Sequence, residues 1–327
     1  MKTSNITIFV AGLAICMTAW PLAPVSALTP RRLDGVVVQN AKSNLWPVAV
    51  MIDNHSAARP QAGLGKASVV YEALAEGGIP RFMAVFAAGS IPLIGPVRSA
   101  RPYFVRYAAE YRAGLAHAGG SPDSLILLNS LRMPNIEGLK GRTASYFFRR
   151  GSGVHSLFTS SARMEAALRA AKVWNKKPTY QSWTFKTEAP LKKRRKGVHG
   201  AEINLGGGAA YVSRYEYDRK RNIYRRFTGG RPQLDRSTGK QVYAKNVVLI
   251  RVPRERVLDR KGRLDIKVIG SGKAVLMQDG YSTTIKWRKR STYGRTEFTT
   301  MSGQPVKFNP GPIWITVVPA GRAYRLF

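Results

Sequence analysis

The residues able to do chemistry gather in a few short stretches of the first half of this 327-residue chain. Asp53, Asn54 and His55 stand together, with Arg59 close behind. Glu72 and Glu76 follow. Arg98 and Arg101 bracket Ser99, and His117 precedes Gly119, Gly120 and Ser121. His155 comes later, alone. A carboxylate and an imidazole are the parts of general acid–base catalysis, so Asp53 or Glu72 could act as acid or base and His117 as proton carrier. Two guanidinium forks three residues apart suit a phosphate or carboxylate. His55, Arg59, Glu76, Arg98, Ser99, Arg101, Gly119, Gly120, Ser121 and His155 are therefore the expected ligand-binding set. The four histidines show no H-x-x-x-H spacing, so no metal site and no cofactor are expected. No G-x-S-x-G elbow accompanies Ser99 or Ser121. A rival reading is structural: the arginines neutralise Asp53, Glu72 and Glu76 in a closed core.

The elements that must hold these residues read as α/β in the first half. The apolar run at 45–52 suits a buried strand ending at Asp53. Residues 67–75 fit strand or helix, and 81–88 fit a central strand. Ser99 is the expected N-cap of a helix with Pro102 in its first turn and Phe104, Tyr107, Ala108 and Tyr111 on its buried stripe. Residues 113–118 read as a strand, and Ser121 caps a helix from 122 to about 131. Its Gly-Gly-Ser turn is a possible anion cradle. A further helix is expected over 156–174, with Leu157, Met164, Leu168 and Ala171 buried. From 201 on the pattern is β, with strands at 211–217, 222–227, 243–252, 264–269, 273–278, 281–288 and 313–319. Gly270-Ser271-Gly272-Lys273 reads as a turn between strands. The fold class is thus a mixed-sheet α/β (α+β) domain with flanking helices at 28–185, followed by a mostly-β domain at 186–327.

Charge and targeting narrow the setting. There are 53 Lys+Arg against 18 Asp+Glu, a net +35. Residues 28–185 hold 20 basic and 8 acidic residues, +12, and residues 186–327 hold 32 and 10, +22. Residues 1–27 read as a signal peptide: Lys2, an apolar stretch at 6–20, and Val25-Ser26-Ala27 for cleavage. An uncleaved anchor is an alternative. So is a lipoprotein modified at Cys16, although Ile15 is bulky for a lipobox. Cleavage after Ala27 removes the only cysteine, which excludes disulfides and thiol chemistry. No later segment is long and apolar enough to span a bilayer, so a periplasmic or extracellular protein is expected. Its partners would be an anionic envelope polymer or phospholipid head groups. Export argues against nucleic acid, and a protein partner in the envelope stays open.

Together these residues resemble the YerB-like family of bacterial secreted proteins and candidate lipoproteins, which carries paired N- and C-terminal domains of unknown function. The likeness rests on MIDNH at 51–55, ARPQ at 58–61, YEALAEGG at 71–78, IGPVRSARPYF at 94–104, HAGGSP at 117–122 and HSLFTS at 155–160. In the second half it rests on NVVLIRV at 246–252, GSGKAVLMQDG at 270–280, Trp287 and NPGPIWITVVP at 309–319. Ser156 and Val154 flank His155 where the family pattern has Asn and Pro, and Arg150 stands where it has an acid. The resemblance implies fold and location but no reaction. The expectation is an exported envelope protein of unassigned activity that binds an anionic ligand through an Arg-lined pocket, with enzyme status open. Alternatives are a hydrolase or transferase on an anionic envelope substrate, and a scaffold for a protein partner.

Overall fold

A computed structural model describes residues 28–39, 45–87 and 89–327. The signal-peptide, lipobox and cleavage readings fall outside them. The first half supplies five strands to the main sheet: β1 (Val48–Ile52), β2 (Val69–Leu74), β3 (Pro80–Phe86), β4 (Gly114–His117) and β5 (Asn135–Glu137). Its helices are α1 (Pro102–Ala109), α2 (Pro122–Ser130) and α3 (Ser161–Ala170). The second half begins with β6 (Gly200–Asn204), β7 (Ser213–Asp218) and β8 (Ile223–Thr228). It continues with β9 (Asn246–Val252), β10 (Gly270–Gln278), β11 (Tyr281–Lys289), β12 (Glu297–Thr299), β13 (Ile313–Pro319) and β14 (Ala323–Leu326).

One sheet of ten strands runs through both halves, in the order β12-β11-β10-β9-β13-β2-β3-β1-β4-β5. The halves meet where β13 pairs in parallel with β2, Ile313 opposite Val69 and Thr316 opposite Glu72. Both strands are buried along their whole length, as expected for central strands covered on both faces. The expected segments 28–185 and 186–327 therefore give five strands each to a common core. Glycines permit a second close approach between them. A Cβ on Gly78, whose φ is +73°, would lie 2.8 Å from the Gly207 nitrogen.

Successive side chains of a strand point to opposite faces. Tyr71 faces α1, stacking on Tyr107 with centroids 4.3 Å apart. Glu72 faces the other way, onto an antiparallel sheet ordered β8-β7-β6-β14, where Arg226 of β8 meets it. The molecule is thus layered, with α1 on one face of the main sheet and the smaller sheet on the other.

The α/β and β-rich readings hold, with local corrections. Ser99 does not cap α1. The residue before a proline is pushed toward extended backbone, so Arg101, at φ −137° and ψ 152°, occupies the N-cap without a side-chain cap bond. The Ser99 hydroxyl instead donates to the Ala118 carbonyl at 2.8 Å. Ser121 does cap α2, accepting from the Ser124 N–H. The third helix starts only at Ser161, because Leu157 and Phe158 pair as a strand with Phe148 and Arg149. Its buried residues are Met164, Ala167 and Leu168, while Ala171 is exposed. Residues 270–273 open β10 rather than turn: Gly272 lies under Trp287, and the hairpin turn is at Asp279 and Gly280.

Candidate functional site

β1 ends at Ile52, and the chain leaves the sheet at Asp53. Asp53 is buried, and its Oδ1 accepts the His55 N–H at 2.9 Å. Its Oδ2 lies 2.7 Å from His155 Nδ1 and 3.1 Å from Arg98 Nε. Arg98 thus forms an ion pair at a hydrogen-bond length but not in hydrogen-bond alignment. The His55 and His155 rings stack, centroids 4.8 Å apart and 18° from parallel. The 3₁₀ turn Ser56–Ala58 fixes the first ring, because His55 Nδ1 accepts the Ala57 N–H at 3.2 Å.

These bonds set the tautomers. A ring nitrogen that accepts a backbone N–H carries no proton, so neutral His55 holds its proton on Nε2. A ring nitrogen facing a carboxylate carries one, so neutral His155 presents a lone pair at Nε2. The stack therefore offers a donor and an acceptor side by side, next to a guanidinium.

Beside this cluster a cleft of about 650 Å3 opens between the halves. Ser56, Arg59 and Gln61 line one wall, and Thr228, Arg231 and Gln233 the other, with no acidic residue in the lining. Arg59 donates to the carbonyls of Ala210 and Asn54 and lies over the Tyr211 ring. Burial holds its pKa below the ordinary value against the opposing pull of Tyr211. Arg59 Nε is buried without an acceptor among the described residues, as is Nδ2 of Asn54, which does not line the cleft.

The other expected site residues lie elsewhere. Glu72 is fully buried. It takes Arg226 Nη2 at 2.7 Å and the Thr316 hydroxyl at 3.2 Å. Arg226 sits among Trp314, Tyr215 and Phe82 and also donates to Gln233 at 2.6 Å. Glu76 is taken by Arg101 and Arg81. Burial alone would raise its pKa, but the Arg101 hydrogen bond and the two positive charges outweigh that and hold it low. Burial and the neighbouring Arg101 bring Arg81 down to about 10. His117 is fully buried, Nδ1 2.9 Å from the Gly119 carbonyl and Nε2 2.8 Å from Asn135 Oδ1. The Gly-Gly-Ser cradle is filled by the protein itself: Gly119 N–H donates to Glu137 Oε1 at 3.0 Å, and a Cβ on Gly120 would meet Ser124 Oγ at 2.5 Å.

Of the expected set, then, Asp53, His55, Arg98 and His155 converge, Arg59 stands beside them, and the rest build structure. The sequence reading missed the amide chain behind the site. Gln61 Nε2 reaches the Asp53 carbonyl and Asn54 Oδ1, and Gln233 Nε2 donates to Gln61 Oε1 at 3.1 Å. With Gln233 bound to Arg226, this chain links the Asp53 end to Glu72 on the next strands. Among the described residues no group of three or more metal-ligating side chains converges.

The class follows from the comparisons together with this geometry. Residues 33–174 match the N-terminal domain and residues 201–315 the C-terminal domain of the family described as protein of unknown function DUF3048, and the chain belongs to that family. It is 32% identical over 290 residues to "Putative lipoprotein YerB" of Bacillus subtilis (strain 168), covering 88% of this chain and 85% of that protein. The crystal structure of YerB protein from Bacillus subtilis superposes with a TM-score of 0.78 at 30% identity, covering 90% of this chain and 98% of that one.

Proposed function

We propose that this is an exported cell-envelope protein that binds an anionic envelope ligand between His55, Arg98 and His155, with the neighbouring cleft holding the rest of the ligand. The relative's name as a lipoprotein supports the location. The observation that carries the binding role is the excess of donors over acceptors. Among the described residues Arg59 Nε lacks an acceptor, Arg231 carries no ion pair, and no acid lines the cleft. A buried donor without a partner costs free energy, and ligand oxygens would satisfy it. Arg59, Arg98 and His155 come from three separate loops, so their convergence depends on the fold. A glycerol-phosphate oligomer, titrated calorimetrically, tests this. Arg98→Ala should weaken binding about 10-fold or more, as loss of a charged hydrogen bond does, and His155→Ala, which removes a neutral acceptor, should cost less. Lys192→Ala with Lys193→Ala, exposed residues in a cationic run, should change it little. Equal losses in both sets would sink a specific site.

The Asp53–His155 bond favours a second reading, a hydrolase or transferase on an anionic substrate. Asp53 orients the ring, His155 Nε2 takes a proton from the nucleophile, and Arg98 holds the anion. Acid–base duty then rests on Asp53 and His155, since Glu72 and His117 are closed off. Turnover of a phosphodiester by the wild type, lost in His155→Ala with binding retained in Asp53→Asn, would favour it.

A further inference from the structure

The smaller sheet carries a concave surface that the site above does not use. It is a cleft of about 980 Å3 at the β7–β8 hairpin, lined by Lys220, Arg221, Arg225, Lys240 and Lys245 and by a single acid, Asp218. Arg225 already pairs with Asp218, and Lys245 Nζ lies 2.5 Å from Glu188 Oε1. Lys220, Arg221 and Lys240 are exposed and have no carboxylate within ion-pair reach among the described residues.

The frame beneath these cations is fixed. Asn222 closes the hairpin turn in the left-handed region, φ 55°, and its buried amide donates to Asp279 at 2.8 Å and Glu188 at 3.2 Å. Arg194 donates to the carbonyls of Arg219 and Lys220. On the other wall Gln241 Nε2 donates to the Arg226 carbonyl at 2.8 Å, next to Lys240. Tyr243 sits directly opposite Arg225 across the strand pair, so the two side chains share a face, and the residue is 37% exposed in the cleft wall.

Like charges held together in a concavity repel, and an anion bound there relieves the repulsion. A lone small anion needs neither this volume nor an aromatic plate. A chain of sugar rings bearing carboxylate or phosphate groups uses both: the ring packs its apolar face on Tyr243 while the charges meet the three unpaired cations. We infer that the β7–β8 cleft is a second binding site, independent of the Arg98 site, for a linear acidic polysaccharide.

The test uses the purified protein with polygalacturonate, a polyphosphate of similar length and neutral dextran. The variant Lys220→Gln/Arg221→Gln/Lys240→Gln should bind polygalacturonate about 10-fold or more weakly at low salt, with a log–log salt slope shallower by about two, as for three fewer charges neutralised along a single-stranded polyanion. The control Lys192→Gln/Lys193→Gln/Lys196→Gln removes the same charge elsewhere and should lose less than about 3-fold. Tyr243→Ala should weaken polygalacturonate by about 5-fold, the scale of one stacking contact, and leave polyphosphate unchanged. The Lys220→Gln/Arg221→Gln/Lys240→Gln variant should keep wild-type affinity for the glycerol-phosphate oligomer, because the two sites are separate. Equal losses in the two triple variants would overturn the site, and equal effects of Tyr243→Ala on both polymers would overturn the polysaccharide. Binding of phosphatidylglycerol vesicles through the same three residues, with none of polygalacturonate, would do so as well.

Discussion

Glu72→Gln separates a structural carboxylate from a catalytic one. Glu72 lies mid-strand in the centre of the main sheet, fully buried, and its partner Arg226 is fully buried too. The substitution keeps the volume and one acceptor but removes the charge. Arg226 then keeps Gln233 and Tyr215 and the faces of Trp314, Tyr215 and Phe82, with no counter-ion. Removing one member of a buried ion pair costs about 3–5 kcal/mol, because the other charge stays buried. With a urea m-value of about 3–4 kcal/mol/M for a chain of this size, the midpoint should fall by roughly 1 M. Glu72→Met combined with Arg226→Met removes both charges from apolar surroundings, and should recover most of the loss. Equilibrium unfolding in urea followed by tryptophan fluorescence reads both. Folded Glu72→Gln should still bind the glycerol-phosphate oligomer with wild-type affinity. A midpoint shift below about 0.3 M, equivalent to about 1 kcal/mol, would refute the reasoning and return Glu72 to an open, functional place.

A second buried cluster, on the opposite face, predicts an acid limit. Burial pushes the Glu110 carboxyl up, but Lys289 and Arg295 outweigh it and hold its pKa below the ordinary value. A lowered folded pKa gives stability that is complete above the unfolded value of about 4.3 and lost as pH falls through the folded one. The urea midpoint should therefore stay level from about pH 7 to 5 and fall below about 4, with a shallower acid limb in Glu110→Gln. His117→Leu removes the hydrogen bonds to the Gly119 carbonyl and Asn135 Oδ1, both within reach of water, so it should lose only about 1 kcal/mol in the same assay. Its binding of the anionic probe should be unchanged, and a loss there in the folded variant would put His117 back in the site.

Much of the fold was legible because strands announce themselves locally. The apolar run at 313–319 and the alternation along 281–289 need no tertiary knowledge. What those patterns do not give is the partner of each strand. The pairing of β13 with β2 joins residues 244 positions apart at Thr316 and Glu72, and nothing in either run names the other. A signal for the buried cations was nonetheless present. In β11, Ile285, Trp287 and Lys289 share one face, so the lysine must follow the tryptophan into the core, and a buried lysine requires an acid. That acid is Glu110, 3.1 Å from Nζ, sitting just past α1.

The site was harder to read, for a reason that the two carboxylates Asp53 and Glu72 make plain. Both lie in apolar first-half strands or at their ends, and both have arginine partners. By residue type they are equivalent. What separates them is where the chain goes next. After Glu72 the strand continues under the smaller sheet, so both faces stay covered and the carboxylate is sealed with Arg226. After Asp53 the chain leaves the sheet, and loops bring Arg98 and His155 around an edge that solvent reaches: the Arg98 and His155 side chains remain 28% and 26% exposed while Asp53 stays buried. A strand end therefore converts the same pairing chemistry from a cross-link into an addressable site. The amide chain through Gln61, Gln233 and Arg226 ties the two together, so the seal at Glu72 also braces the wall that carries Gln61.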